Sequence, residues 1–177
     1  TIISEWGVTA LLLAWWLVMG RGTTEIGLHL QMAGWQWLAA AVSLLGAAVF
    51  VLYTWRVADD PEGLVQVRDQ LGDLDLVAPH TRAELRHFGW VAVTAGICEE
   101  IVYRGLLMTA LAGVMGLWPA VVVSSVVFGI GHSYQGATGV LRTGLVGVLM
   151  ALVVVFTGSL LTAMVIHAVI DLVQGRL

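Results

Sequence analysis

Six ionisable side chains stand where an otherwise apolar chain has little reason to carry them: Glu99, Glu100, Arg104, His132, His167 and Asp171. Each falls within or at the end of an apolar run of helical length. An acidic or basic residue at a helix centre costs about 2.5–3.5 kcal/mol on membrane-insertion scales, so such groups tend to face a partner or a water-filled site. Carboxylates and imidazoles held together in this way can accept a proton from water, relay protons, or ligate a metal. They can also form a purely structural ion-pair network, and that reading stands beside the chemical ones.

Helical spacing sorts the six. Residues four apart share a face, which pairs Glu100 with Arg104, Phe128 with His132, and His167 with Asp171. Glu99 points about 100° away from Glu100, toward the side of Tyr103. Three helices therefore each present a polar stripe.

The elements that must position them are membrane helices. The 177 residues are 59% apolar and 11% charged, against roughly 45–50% and about 25% in soluble domains. Spans of about 20 residues leave no room for a large soluble domain. The expected fold is all-α, a polytopic transmembrane bundle of about six helices with one polar loop between helices 2 and 3. The six apolar segments are read as Trp6–Gly20, Gly34–Trp55, Phe88–Ala112, Trp118–His132, Thr138–Phe156 and Gly158–Val173. Trp35/Trp37 and Tyr53/Trp55 mark the ends of the second segment, since Trp and Tyr favour the headgroup level.

Between helices 2 and 3, Arg56–His87 carries four Arg, seven Asp or Glu and two of the three prolines, with a weak helical pattern at Leu64–Leu71. It reads as a solvated or interfacial loop. The chain divides into residues 1–80, two helices and this loop, and residues 81–177, a four-helix core bearing the polar stripes. The opening apolar run lacks a basic start and an A-x-A-like end, so no cleavable signal peptide is expected. Cys98 is the sole cysteine and reads as a small buried hydrophobe. His29, His80 and His87 read as loop or interfacial residues.

All eight basic residues are Arg, and their placement predicts orientation. With six spans, Arg56, Arg68, Arg82, Arg86, Arg142 and Arg176 fall on one side and Arg21 on the other, so both termini are expected in the cytoplasm. At 1.5 Å per residue, Glu99, His132, His167 and Asp171 lie roughly 16, 8, 16 and 10 Å from the cytoplasmic face. All fall in the cytoplasmic half of a ~30 Å core.

The three stripes form an ordered trio of motifs: EEIVYR from Glu99 to Arg104, FGIGH from Phe128 to His132, and HAVID from His167 to Asp171. This trio resembles the CAAX prenyl protease and bacteriocin-processing (Abi) family of intramembrane endopeptidases, over about Thr81–Val173. The resemblance implies endoproteolysis by glutamate-activated water in a bundle open to the cytoplasm. Eukaryotic relatives remove the last three residues of prenylated CAAX proteins, and bacterial relatives are linked to peptide or bacteriocin processing and immunity. By motif position, Glu99 matches the general base, Glu100 and Arg104 its supporting pair, and His132 the residue that holds the water. His167, which in this mechanism is expected to stabilise the developing oxyanion, and Asp171 match the third motif, whose last position is often Asn. A carboxylate donates a hydrogen bond only when protonated, so a role for Asp171 in orienting water, an amine or a metal stands beside the oxyanion role.

The reading implies membrane lipid and a membrane-associated protein or peptide as partners, and no nucleic acid. The expected location is a bacterial or archaeal cell membrane. A metal-free site is favoured over a zinc site built from Glu99, His132, His167 and Asp171, since no HExxH pair is present. The rivals from other classes are a proton-coupled transporter and a non-enzymatic scaffold. A rhomboid-like serine site and an aspartyl site both lack their residue patterns. Nothing in the sequence fixes the substrate or the oligomeric state.

Overall fold

A computed structural model describes residues 2–60 and 79–175. Arg68, Arg176 and the Leu64–Leu71 pattern lie outside the described residues, as does most of the Arg56–His87 segment. The described residues form helices and connecting turns, with no strand among them. The elements are α1 (Ile2–Val18), α2 (Gly34–Ala58), α3 (Arg82–Glu99), a π-helical segment (Glu100–Leu107), α4 (Met108–Met115), α5 (Leu117–Gly131), a single 3-10 turn (Ser133–Gln135), α6 (Gly136–Thr157) and α7 (Leu160–Gln174). Since α3, the π segment and α4 run on as one rod, the described residues make six rods.

The boundaries follow local chemistry. A reciprocal capping box opens α3: Thr81 Oγ1 accepts from the Glu84 N–H at 3.2 Å, and Glu84 Oε2 accepts from the Thr81 N–H at 3.0 Å. These contacts satisfy donors that the first turn leaves orphaned, so the third rod begins at Arg82 rather than at the expected Phe88. Gly158 ends α6 in the left-handed region at φ 69°, a conformation that costs glycine little. Ser159 then caps α7, its Oγ accepting from the Leu161 N–H at 3.3 Å. The first helix begins at Ile2 rather than Trp6, and that shift proves consequential at the site.

Two stretches are long and apolar enough to cross a membrane: Gly34–Ala58, and Ser133–Thr157, which contains α6. At 25 residues each they reach about 37 Å. Only 11% and 22% of their most apolar windows is buried inside the protein, unlike the core helix of a soluble domain. On α2, Leu38, Val42, Leu45, Val49 and Leu52 form an exposed stripe at spacings of three and four. Leu141, Leu145 and Leu149 form another on α6.

Helix α7 sits at the centre, packing on α3 and α2, while α1 covers the other flank of α3 and α5 pairs with α6. The closest approach is at Gly96, where a Cβ would lie 2.8 Å from the Ala168 backbone N. Glycine there lets α3 and α7 meet backbone to backbone. The apolar core runs through Trp16, Ile101, Val121, Met150, Leu160 and Met164. Leu117 is 41% exposed, whereas Val121 and Leu160 are buried.

Candidate active site

The α3–α7 contact at Gly96 brings the carboxylates of the third rod against the imidazole of the last. Arg104 Nη1 donates to Glu100 Oε1 at 2.9 Å, as the spacing predicts. The same oxygen meets His167 Nδ1 at 2.8 Å. Arg104 Nη2 donates to the Gly147 carbonyl at 3.1 Å, and the guanidinium lies 4.1 Å from the centroid of the Phe128 ring. Glu100 and Arg104 are 0% and 1% exposed, so both charges are removed from solvent and depend on each other. Glu100 Oε2 has no hydrogen-bond partner among the described residues.

A second, more open layer sits beside this one. Glu99, His132 and Asp171 side chains are 23%, 17% and 28% exposed, enough to reach water. His132 Nε2 lies 3.9 Å from Glu99 Oε1, and His167 Nε2 lies 3.8 Å from Glu99 Oε2. His167 Nε2 is also 3.5 Å from Asp171 Oδ2. The Glu99 separations are too long for direct hydrogen bonds, yet a single water can touch both groups of either pair.

The histidine tautomers follow from their other contacts. His132 Nδ1 is 2.9 Å from the Phe128 carbonyl, which can only accept, so Nδ1 carries the proton. That bond satisfies one of the orphaned carbonyls in the last turn of α5. His167 Nδ1 likewise donates to the Glu100 carboxylate. A neutral His132 turns its Nε2 lone pair toward Glu99, whereas His167 Nε2, between the Glu99 and Asp171 carboxylates at 3.8 and 3.5 Å, can donate to them when that ring is charged.

The rod widens into a π-helical segment directly after Glu99. Met108 N–H donates to the Tyr103 carbonyl five residues back, and such widened turns recur at functional sites. Glu99 ends α3 and Glu100 opens the π segment.

All six residues singled out from the sequence thus lie in one constellation. Sequence reading missed a seventh. Glu5, in the first turn of α1, lies close enough to Cys98 and Glu99 to interact with both through its charge. Its Oε2 is buried without a hydrogen-bond partner among the described residues. Thr9, one turn on and 2% exposed, lies beside the Cys98 side chain. A helix beginning at Trp6 leaves Glu5 outside. The available signal was the spacing of Glu5, Thr9 and Trp16, which fits one face of a helix begun earlier.

A metal needs several donors at roughly 2.0–2.2 Å from a common centre. Among the described residues, no group of three or more His, Cys, Asp or Glu is arranged to hold one.

Residues 82–173, more than half of the chain, match the model of the Rce1-like type II CAAX prenyl endopeptidases. The chain belongs to this Rce1-like family. All six motif residues fall inside the matched region. Comparison with curated proteins gave no match, and comparison with solved structures gave none. The Rce1-like family is one of membrane-embedded proteases.

Proposed function

We propose that this Rce1-like protein is a multi-pass membrane endopeptidase that hydrolyses a peptide bond of a membrane-associated protein or peptide with a water activated by Glu99. The observation that carries the reading is the convergence of two imidazole Nε2 atoms on opposite oxygens of Glu99, at 3.9 and 3.8 Å. The exposed apolar stripes of α2 and α6 support lipid as the surrounding medium, since a soluble monomer rarely exposes apolar patches of such extent.

In this reading a water lies between Glu99 and His132, donating one hydrogen to each. Glu99 takes a proton as the water oxygen attacks the scissile carbonyl carbon. The carbonyl π electrons move to oxygen, giving a tetrahedral oxyanion. Collapse re-forms the carbonyl, breaks the C–N bond, and returns the proton from Glu99 to the leaving amine. Glu100 and Arg104 act by holding His167 against Glu99. Asp171, set against His167 Nε2, suits the orientation of water or of the departing amine.

The orientation proposed from the Arg distribution places both termini and the site's opening in the cytoplasm. A Glu99→Gln protein tests the reading by capture. It should retain uncleaved membrane-associated polypeptides, identified by mass spectrometry, that the wild-type protein releases as two fragments. Identical co-purifying species from both proteins, with no fragments from the wild type, would end the peptidase reading.

A further inference from the structure

The chain between α1 and α2, residues 19–33, does more than join two helices. Arg21, Thr24 and Glu25 are exposed, yet the next residues turn into the bundle. Ile26 is 2% exposed and belongs to the apolar core. Gly27 is buried and Leu28 packs against that core. None of these residues lies in the matched region 82–173.

The loop arrives directly behind the buried ion pair. Ile26 sits against Gly105, the residue after Arg104: a Cβ on Gly105 would lie 3.4 Å from the Ile26 Cβ and 3.0 Å from Leu160 Cδ1. Leu160, 0% exposed, opens α7. Met164 and His167 follow it on one face, at spacings of four and three. From the loop inward, α7 thus presents Leu160, then Met164, then His167, while the third rod presents Gly105 and then Arg104.

Non-helical backbone at membrane depth is tolerated only where the protein satisfies its polar groups. Here it does. The Gly27 carbonyl accepts from the Leu160 N–H at 3.0 Å, the His29 carbonyl from Ser159 Oγ at 3.1 Å, and the Gly22 carbonyl from Trp16 Nε1 at 3.1 Å. Within the loop, the Gly27 N–H donates to the Thr24 carbonyl and the Leu28 N–H to that of Thr23, each at 3.1 Å. Gly27 has φ 78°, and a Cβ there would stand 3.2 Å from the Leu160 N. A side chain at this position is therefore both strained and crowded.

We infer that residues 21–29 form a re-entrant plug, with Ile26 as its stopper, which seals the bundle between the π-helical segment and α7 against water from the face opposite the cytoplasm. The polar site then opens to the cytoplasm alone, and the second opening that a transporter needs is closed. This rests on the membrane setting and orientation proposed above, and not on the chemistry assigned to Glu99.

The test uses single cysteines in a Cys98→Ala background, in the full chain reconstituted in sealed vesicles, with a small charged methanethiosulfonate added to either face. Thr24→Cys, on the exposed part of the loop, should label from the far face. Met164→Cys, one turn inside the plug, should stay unlabelled from that face while the loop is intact. Adding Ile26→Gly, or separately Gly27→Ala, should let Met164→Cys label from the far face at a rate approaching that of Thr24→Cys. Two loop variants are used so that, should one fail to fold by size-exclusion chromatography, the other decides. Far-face labelling of Met164→Cys with the loop intact overturns the seal. Continued protection in the folded loop variants overturns it too, since the helices would then close the bundle by themselves. Labelling of Thr24→Cys only from the cytoplasmic face overturns the orientation and the plug with it. No outcome depends on cleavage, so a Glu99→Gln protein of normal turnover would end the peptidase reading and leave the plug standing.

Discussion

His167 donates through Nδ1 to the same Glu100 oxygen that Arg104 holds, at 2.8 and 2.9 Å. One buried carboxylate oxygen therefore ties α7 to the π-helical segment and also sets which nitrogen of His167 faces Glu99.

Glu100→Gln should therefore be a folding lesion as well as a catalytic one. It leaves the Arg104 guanidinium, 1% exposed, without a counter-charge, and breaking a buried pair in this way costs about 3–5 kcal/mol. Thermal unfolding in detergent, followed by tryptophan fluorescence, should show a clear drop in Tm together with lost cleavage. An inactive variant of wild-type Tm would mean that Glu100 takes part in the chemistry directly.

Gly96→Ala probes the helix contact that assembles the site. The added Cβ would lie 2.8 Å from the Ala168 backbone N and 2.9 Å from its Cβ, so α3 and α7 must separate. Overpacking of this kind costs about 1–3 kcal/mol, and it should reduce activity by loosening the Glu100–His167 bond. Because the nearest atom is backbone, adding Ala168→Gly should not restore activity. Full restoration would place the clash in side chains and contradict the account.

Much of this arrangement was legible beforehand. The i,i+4 pairings Glu100/Arg104 and His167/Asp171 follow from helix periodicity alone, and the structure has them at 2.9 and 3.5 Å. The bond between His167 and Glu100 was not legible, because it joins residues 67 apart through a helix crossing that Gly96 permits and no local pattern announces. The π-helical turn was hidden too, since its sequence reads as ordinary apolar helix. Hydropathy starts the first helix at Trp6 and so leaves Glu5, in the first turn of α1, outside it. Hydropathy alone starts the third rod at Phe88, whereas the Thr81/Glu84 capping box starts it at Arg82.

That capping box makes the start of α3 acid-sensitive. The backbone N–H groups of His80 and Thr81 hold the Glu84 carboxyl below its ordinary value. A depressed folded-state value contributes stability that is complete above the unfolded carboxyl's value of about 4.3 and is lost as pH falls through the lower folded value. Hydrogen exchange in the first turn of α3 should be slow at neutral pH and should rise below about pH 4, and Glu84→Gln should flatten that dependence. Unchanged protection at pH 3 would remove the role given to Glu84.

The topology reading is tested by single cysteines in a Cys98→Ala background. Positions Asp59 and Arg82 should label from the cytoplasm, and Thr24 and Val114 from the opposite face. Labelling of Asp59→Cys by an impermeant reagent added outside intact cells would reverse the orientation.

Metal dependence separates the water-only site from a zinc site. Activity should survive exhaustive chelation in the purified protein. Loss on chelation that added zinc restores would require a metal held by Glu99, His132 and either His167 or Asp171.

The most direct measurement is the turnover of Glu99→Gln beside wild type on one peptide substrate, with Tm recorded for both. The amide keeps the size of the side chain and loses its basicity, and a general base contributes about 10²–10⁴-fold. The account predicts a kcat loss of at least that order in a protein of unchanged Tm. Near-wild-type turnover by Glu99→Gln would contradict it.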